Sequence, residues 1–146
     1  MRRSMAWVIP VFAAVVLSIQ LMATSTRVDQ GSKKSDWTIP AGGENEKNPL
    51  VVNDAILAAG RKVFVSKCQR CHGRQGRGDG PDADKKHLDH MNLTNPANAH
   101  HNSDGTVFYK IWNGRSSPKM PRFSEELTKE QAWAVAAYVQ TLRLKS

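Results

Sequence analysis

The chain has two cysteines, Cys68 and Cys71, at the start of the stretch CQRCHGRQGRGDGP that runs to Pro81. Thiols at this spacing support four chemistries: a disulfide, a thioredoxin-like redox pair, half a zinc site, or two thioether links to a c-type haem. His72, directly after Cys71, favours the last. C-x-x-C-H supplies two thiols to add across porphyrin vinyl groups and an imidazole to hold against the iron. Zinc would want two further Cys or His ligands at short regular spacing. The other histidines, His87, His90, His100 and His101, fall in loop sequence suited to solvent. A redox pair would open a helix after a strand, whereas Gly73, Gly76, Gly78 and Gly80 follow here. The expectation is one covalently bound haem c with its iron, held by Cys68, Cys71 and His72.

An iron held by His72 has a second face, and what fills it separates electron transfer from ligand binding. Met120 is the leading candidate. It sits in SSPKMPRF between Pro118 and Pro121, where the backbone is stiff and extended. Met91 and the four loop histidines are weaker candidates, although a histidine near the haem could make its potential depend on pH. Thioether ligation favours Fe(II) and raises the potential. No paired carboxylates or nucleophile set suggest catalysis, so a carrier rather than an enzyme is expected.

The elements that must position these groups read as helices, with no evident strand. Asn53 or Asp54 can cap a helix running to about Lys67, with Ile56, Gly60, Val63 and Phe64 on one face, which delivers Cys68 at its end. Ser103 can cap a second over about Asp104–Trp112, ended by Asn113-Gly114. Thr128 and Gln131 form a capping box for a third to about Arg143, with Val135, Tyr138, Val139 and Leu142 in a stripe. Gly60 is costly inside a helix, so it asks for a packing reason.

Taken together, AILAAGRKVFVSKCQRCHG, GRGDGP, NLT, NGRSSPKMPRF and LTKEQAWAVAAYVQTL resemble the class I monohaem c-type cytochromes of bacteria, over Asp54 to Leu144. The resemblance implies an all-α cytochrome c fold of three to four helices wrapped around one covalently bound haem, and electron transfer. It implies that Met120 is the distal ligand and that the first and last helices cross at Gly60. It also implies that Leu93 packs near the haem edge and that the carbonyl of Pro81 accepts from the free ring nitrogen of His72. Trp112 could lie on the haem, and Arg77, Arg115 and Trp112 are within reach of the propionates.

The opening MRRSMAWVIPVFAAVVLSIQLMA places Arg2 and Arg3 before an apolar run from Ala6 to Ala23. Residues 1–25 read as a signal peptide or an N-terminal membrane anchor, 26–53 as a polar linker, and 54–146 as the haem domain. Everything after the run is exported to the periplasm, tethered to the inner membrane by residues 6–23 or soluble after cleavage. Trp37 is an isolated apolar point expected to dock on the domain. The net charge is +8, and Arg2 and Arg3 supply two of it. Export makes nucleic acid a poor partner. Lys67, Arg70, Arg74, Arg77, Lys119 and Arg122 would form a basic ring around the haem edge, steering the protein to acidic patches on donor and acceptor complexes. Two further readings are a permanent haem subunit of a larger membrane or dehydrogenase complex, and a gas-binding sensor in which Met120 does not ligate.

Overall fold

The computed structural model describes residues 37–99 and 101–143, so the N-terminal apolar run and His100 lie outside the described residues. The first long element is α1 (Asp54–Val63), whose N-terminus is satisfied by Asn53: its side-chain oxygen accepts from the Ile56 amide at 3.0 Å. The helix does not stop at Lys67 as expected. It continues through a wider turn, Phe64–Cys68, in which the Gln69 amide reaches back five residues to the Phe64 carbonyl. It then resumes as the short α2 (Gln69–His72), so the whole C-x-x-C-H motif is helical.

Two single turns follow, α3 (Leu88–Met91) and α4 (Pro96–Ala99). Helix α5 (Asp104–Asn113) is capped by Ser103, which accepts from the Thr106 amide at 3.2 Å. Helix α6 (Lys129–Arg143) opens with the reciprocal Thr128–Gln131 bonds, 2.9 and 3.2 Å long. The described residues form no strand, only isolated bridges, which agrees with the all-α expectation.

Helices α1 and α6 cross at Gly60. A Cβ there would lie 2.1 Å from the Ala134 carbonyl oxygen and 3.0 Å from the Tyr138 Cβ, so only glycine permits the approach. One turn on, the fully buried Phe64 meets the Tyr138 ring at 5.3 Å between centroids. On the other side of α6, Phe108 stacks between Trp133 (4.1 Å) and Trp112 (5.6 Å), joining α5 to α6. Each ring pair is worth about 0.5–1.5 kcal/mol beyond its burial.

Residues 37–50, read from sequence within a polar linker, lie along α5 and reach α6. Asn113 Nδ2 donates to the Thr38 carbonyl (2.6 Å), the Tyr109 hydroxyl to Glu46 (2.7 Å), and Asn48 Nδ2 to the Trp133 carbonyl (3.0 Å). Leu50 packs against the core. Glycines at 43 and 105 let this strap press onto the helix, since a Cβ on Gly105 would sit 2.0 Å from the Gly43 carbonyl oxygen.

Candidate functional site

Between α1, α5 and α6 lies a cavity of about 520 Å³, well within the range that holds a large cofactor. Its apolar wall comes from Phe64, Val107, Ile111, Val135, Val139 and Leu93. Cys68 and His72 reach it from the end of the first helix, and Met120 from the loop between α5 and α6. The sequence separates His72 from Met120 by about half of the domain, and the fold brings them to one space.

His72 is buried, and its Nδ1 lies 2.7 Å from the backbone carbonyl of Met91. A carbonyl only accepts, so Nδ1 carries the proton and Nε2 keeps its lone pair. Burial pulls the imidazole pKa below its ordinary value, and the bond to Met91 offsets this only in part. The ring is thus neutral, the form a metal requires. The expected acceptor, Pro81, does not serve. Its loop instead folds back on α2, with the Asp82 amide donating to the Arg70 carbonyl at 2.8 Å, and Pro81 is exposed.

The Met91 carbonyl is brought to the ring by a relay through the glycine loop. The Gly78 amide donates to the His72 carbonyl (2.8 Å), the Leu93 amide to the Gly76 carbonyl (2.7 Å), and Arg77 bridges Asn92. Met91 itself is core, and only its backbone enters the site.

Cys68 is half-buried on the cavity wall, its thiol pKa pushed up to about 12 by burial first and by nearby Cys71 second. Cys71, half-buried, lies nearly one helical turn beyond and does not itself line the cavity.

The Met120 loop is fastened at both ends. Arg115 and Met120 exchange two backbone hydrogen bonds of 3.0 Å, and the Arg115 Nε donates to the Pro118 carbonyl at 2.8 Å. Beyond Met120, the Phe123 amide returns to the Ile111 carbonyl at 3.1 Å. The stiffness expected from the prolines is thus reinforced by a ladder to α5.

Part of the lining is cationic: Lys110, Arg115 and Arg143, with Asp89 the one acidic lining residue among those described. Burial, helped by Arg115 and Arg143, pushes the Lys110 pKa down to about 8. Trp37 completes this part of the lining, and neither it nor Lys110 was among the residues expected here. Two expectations shift. Trp112 does not line the cavity; its ring stacks on Phe108 instead. Arg77 lies in a separate hollow with Arg61 and Arg74. Among the histidines, His90 and His101 line the cavity, while His87 bonds Asp84 at 2.8 Å.

The basic ring is partly neutralised. Lys67 pairs with Glu126, Arg70 with Asp82 and Arg122 with Glu125. Such exposed pairs hold the side chains only weakly, because water and salt screen them.

The donor set suits an iron porphyrin: an imidazole lone pair and a thioether on one cavity, two thiols beside it, apolar walls, and cations for carboxylates. The family model described as Cytochrome c matches residues 57–143. The chain is 35% identical over 89 residues to cytochrome c6 of Parathermosynechococcus lividus, a match spanning 58% of this chain and 88% of that protein. It is 32% identical over 100 residues to cytochrome c6 of Rippkaea orientalis, spanning 62% and 73%. Among solved structures it is similar to a chain of the Kuenenia stuttgartiensis reducing HAO-like protein complex Kustc0457/Kustc0458, with a TM-score of 0.55 and 28% identity. That match covers 66% of this chain and 49% of the other, about half of its length.

Proposed function

The chain belongs to the cytochrome c family and transfers electrons on covalently bound haem c, and we propose that Cys68 and Cys71 carry its thioether links, with His72 and Met120 as the axial ligands of the iron. When bound, the haem supplies a one-electron Fe(III)/Fe(II) couple. The protein's own groups do the rest. His72 presents Nε2 because Met91 holds its other nitrogen, which also fixes the ring plane and raises its basicity. Met120 is offered from a loop tied to α5, so the site changes little between redox states. The apolar wall, with Leu93 near the edge, excludes water.

The observation that carries this reading is that Cys68, His72 and Met120, from two distant segments, line one cavity. The test is the visible spectrum of the full-length protein, matured with haem, in both redox states and with CO added to the reduced form. A thioether-linked haem with the Met–Fe(III) charge-transfer band and no CO uptake is expected. Ready CO binding without that band would remove Met120 as ligand and favour the gas-binding reading.

The working context is part of the same proposal. Residues 1–25 act as export signal or anchor, and the protein works in the periplasm, tethered by residues 6–23 or released. No helix among the described residues is long and apolar enough to cross a membrane. The carrier serves a respiratory chain, docking through its basic edge on acidic patches of redox partners. Arg74, Arg77 and Lys119, without an ion pair among the described residues, are the charges left for steering. A strap that fastens an N-terminal lead to α5 also supports the second reading, a haem subunit held permanently in a larger complex.

A further inference from the structure

A second hollow, of about 550 Å³, shares no lining residue with the cavity described above and lies between α1, α6 and the glycine loop that follows His72. Arg61 lines it from one residue past the Gly60 crossing, Arg74, Gln75 and Arg77 from the loop, and Tyr138 and Leu142 from α6. Three guanidiniums, an amide and a phenol thus gather in one place. None of these five side chains has a hydrogen bond or ion pair among the described residues. No carboxylate lines the hollow. Asp79, the acidic residue of the same loop, lies over Gly73, where a Cβ would be 1.8 Å from its Oδ1.

The donors are held in place before any ligand arrives. Gly76 has φ +74, and a Cβ there would be 2.9 Å from the Leu142 Cδ1, so loop and helix are in close contact. The Leu93 amide donates to the Gly76 carbonyl at 2.7 Å, and the Gly78 amide to the His72 carbonyl at 2.8 Å. Arg74, Gln75 and Arg77 therefore extend from a backbone fastened on both sides, and the Tyr138 ring is packed on Phe64. Guanidinium forks match the paired oxygens of a phosphate, and an amide and a phenol beside them donate to the same acceptors. Three cations with no carboxylate among them suit a ligand that carries more than one negative charge.

We propose that this hollow binds a phosphate-bearing ligand of high charge, such as diphosphate. The site itself does not depend on the haem, whereas its effect on the haem rests on the reading above. An anion held there lies against the loop that carries the Met91 carbonyl to His72, and against Tyr138, whose ring touches the cavity-lining Phe64. Negative charge in that place favours Fe(III).

The test titrates inorganic diphosphate into the full-length holoprotein by calorimetry at constant ionic strength, with sulfate for comparison. Saturable binding about tenfold tighter for diphosphate than for sulfate is expected. Arg61→Gln and Arg77→Gln should each weaken it about tenfold, as the loss of one charged hydrogen bond predicts, and Tyr138→Phe, which keeps the ring contact, about threefold. Lys129→Gln removes the same charge at the start of α6, outside the hollow, and leaves binding at the parent's value. A short-chain phosphatidic acid, monomeric in solution, separates the sources of the phosphate: preference for it assigns the hollow to a lipid headgroup, and preference for diphosphate to a free ligand. The Fe(III) form should bind about two- to threefold tighter than the Fe(II) form, since solvent screens the coupling, and equal affinities overturn the effect on the haem. No saturable binding of either phosphate, or equal losses in Arg61→Gln and Lys129→Gln, overturns the site. A parent that binds diphosphate but carries no covalent haem overturns the haem reading and leaves the site standing.

Discussion

The His72 imidazole and the Met91 carbonyl meet at 2.7 Å across nineteen residues of chain, and Gly78 is wedged behind the contact. Gly78 has φ +80, and a Cβ on it would touch the Met91 carbonyl carbon, the Met91 Cβ and the Asn92 amide, each at 3.0 Å. Gly78→Ala therefore pushes the acceptor off the ring. With less electron density on the imidazole Fe(III) is less stabilised, and the potential rises. Gly42 shares φ +80 with nothing within 4 Å, so Gly42→Ala carries the backbone strain alone, about 1 kcal/mol, and leaves the His72–Met91 contact in place. Voltammetry of both variants decides the matter. Equal potentials in the two would remove Met91 from the site.

Met120→Leu conserves volume, and the backbone bonds from Arg115 and Ile111 hold its loop in place. The fold is expected to lose no more than about 1.5 kcal/mol. The reduced protein should gain CO binding and the potential should fall as soft sulfur leaves the iron. CO titration checks this, and a variant that still refuses CO argues for a different sixth ligand.

At the helix crossing, Gly60→Ala drives a methyl into the Ala134 carbonyl, 2.1 Å from the ideal position. Backbone cannot rotate away, so the helices must separate, at a cost of about 3 kcal/mol. For a domain of this size that lowers the melting temperature by roughly 10–20 °C. Thermal melting of the holoprotein measures it, and an unchanged Tm would mean that the helices do not cross here.

Lys110 gives the potential a pH dependence. Its pKa is about 8 with the cavity's own groups around it, and carboxylates placed beside it raise this toward the ordinary 10.5. Deprotonation removes a positive charge near the iron, favouring Fe(III), so the potential falls as pH rises through that interval. Arg115 and Arg143, which face Lys110, stay charged there, burial and then Arg115 hold the His90 pKa below its ordinary value, and the bond partner Asn102 is neutral. Lys110→Met is expected to have a lower potential near pH 7 and a flatter slope above pH 8. A slope equal to the parent's would assign the titration elsewhere.

The parts of the fold written in local sequence were legible. The Asn53, Ser103 and Thr128–Gln131 caps are short-range signals, and all three hold helix starts as expected. Gly60 announced a close approach because a mid-helix glycine is otherwise unfavourable. What the sequence concealed is backbone and distance. A carbonyl carries no residue signature: the family resemblance implies Pro81, whereas the acceptor comes from Met91. Trp112 looked suited to the cofactor by type, but the period of α5 turns Val107, Lys110 and Ile111 to the cavity and leaves Trp112 stacked on Phe108. Trp37, an apolar point amid Lys, Glu and Asn, docks on the domain as expected; what sequence did not show is that it reaches the cavity, because its polar surroundings carry no sign of where on the domain it docks.

The wide turn at Phe64–Cys68, where Gln69 bonds back to Phe64, holds one residue more than an ordinary helical turn. Because the extra residue is taken up within one turn, deleting one residue from VSK would close that turn to ordinary helical spacing and leave the attachment motif facing nearly the same way. The same deletion from the regular helix of α1 would swing everything after it by about 100° and carry Cys68 and His72 off the cavity. Tolerance to length change is thus unevenly distributed along this chain: a single-residue deletion is most readily absorbed where the hydrogen bonding looks most irregular.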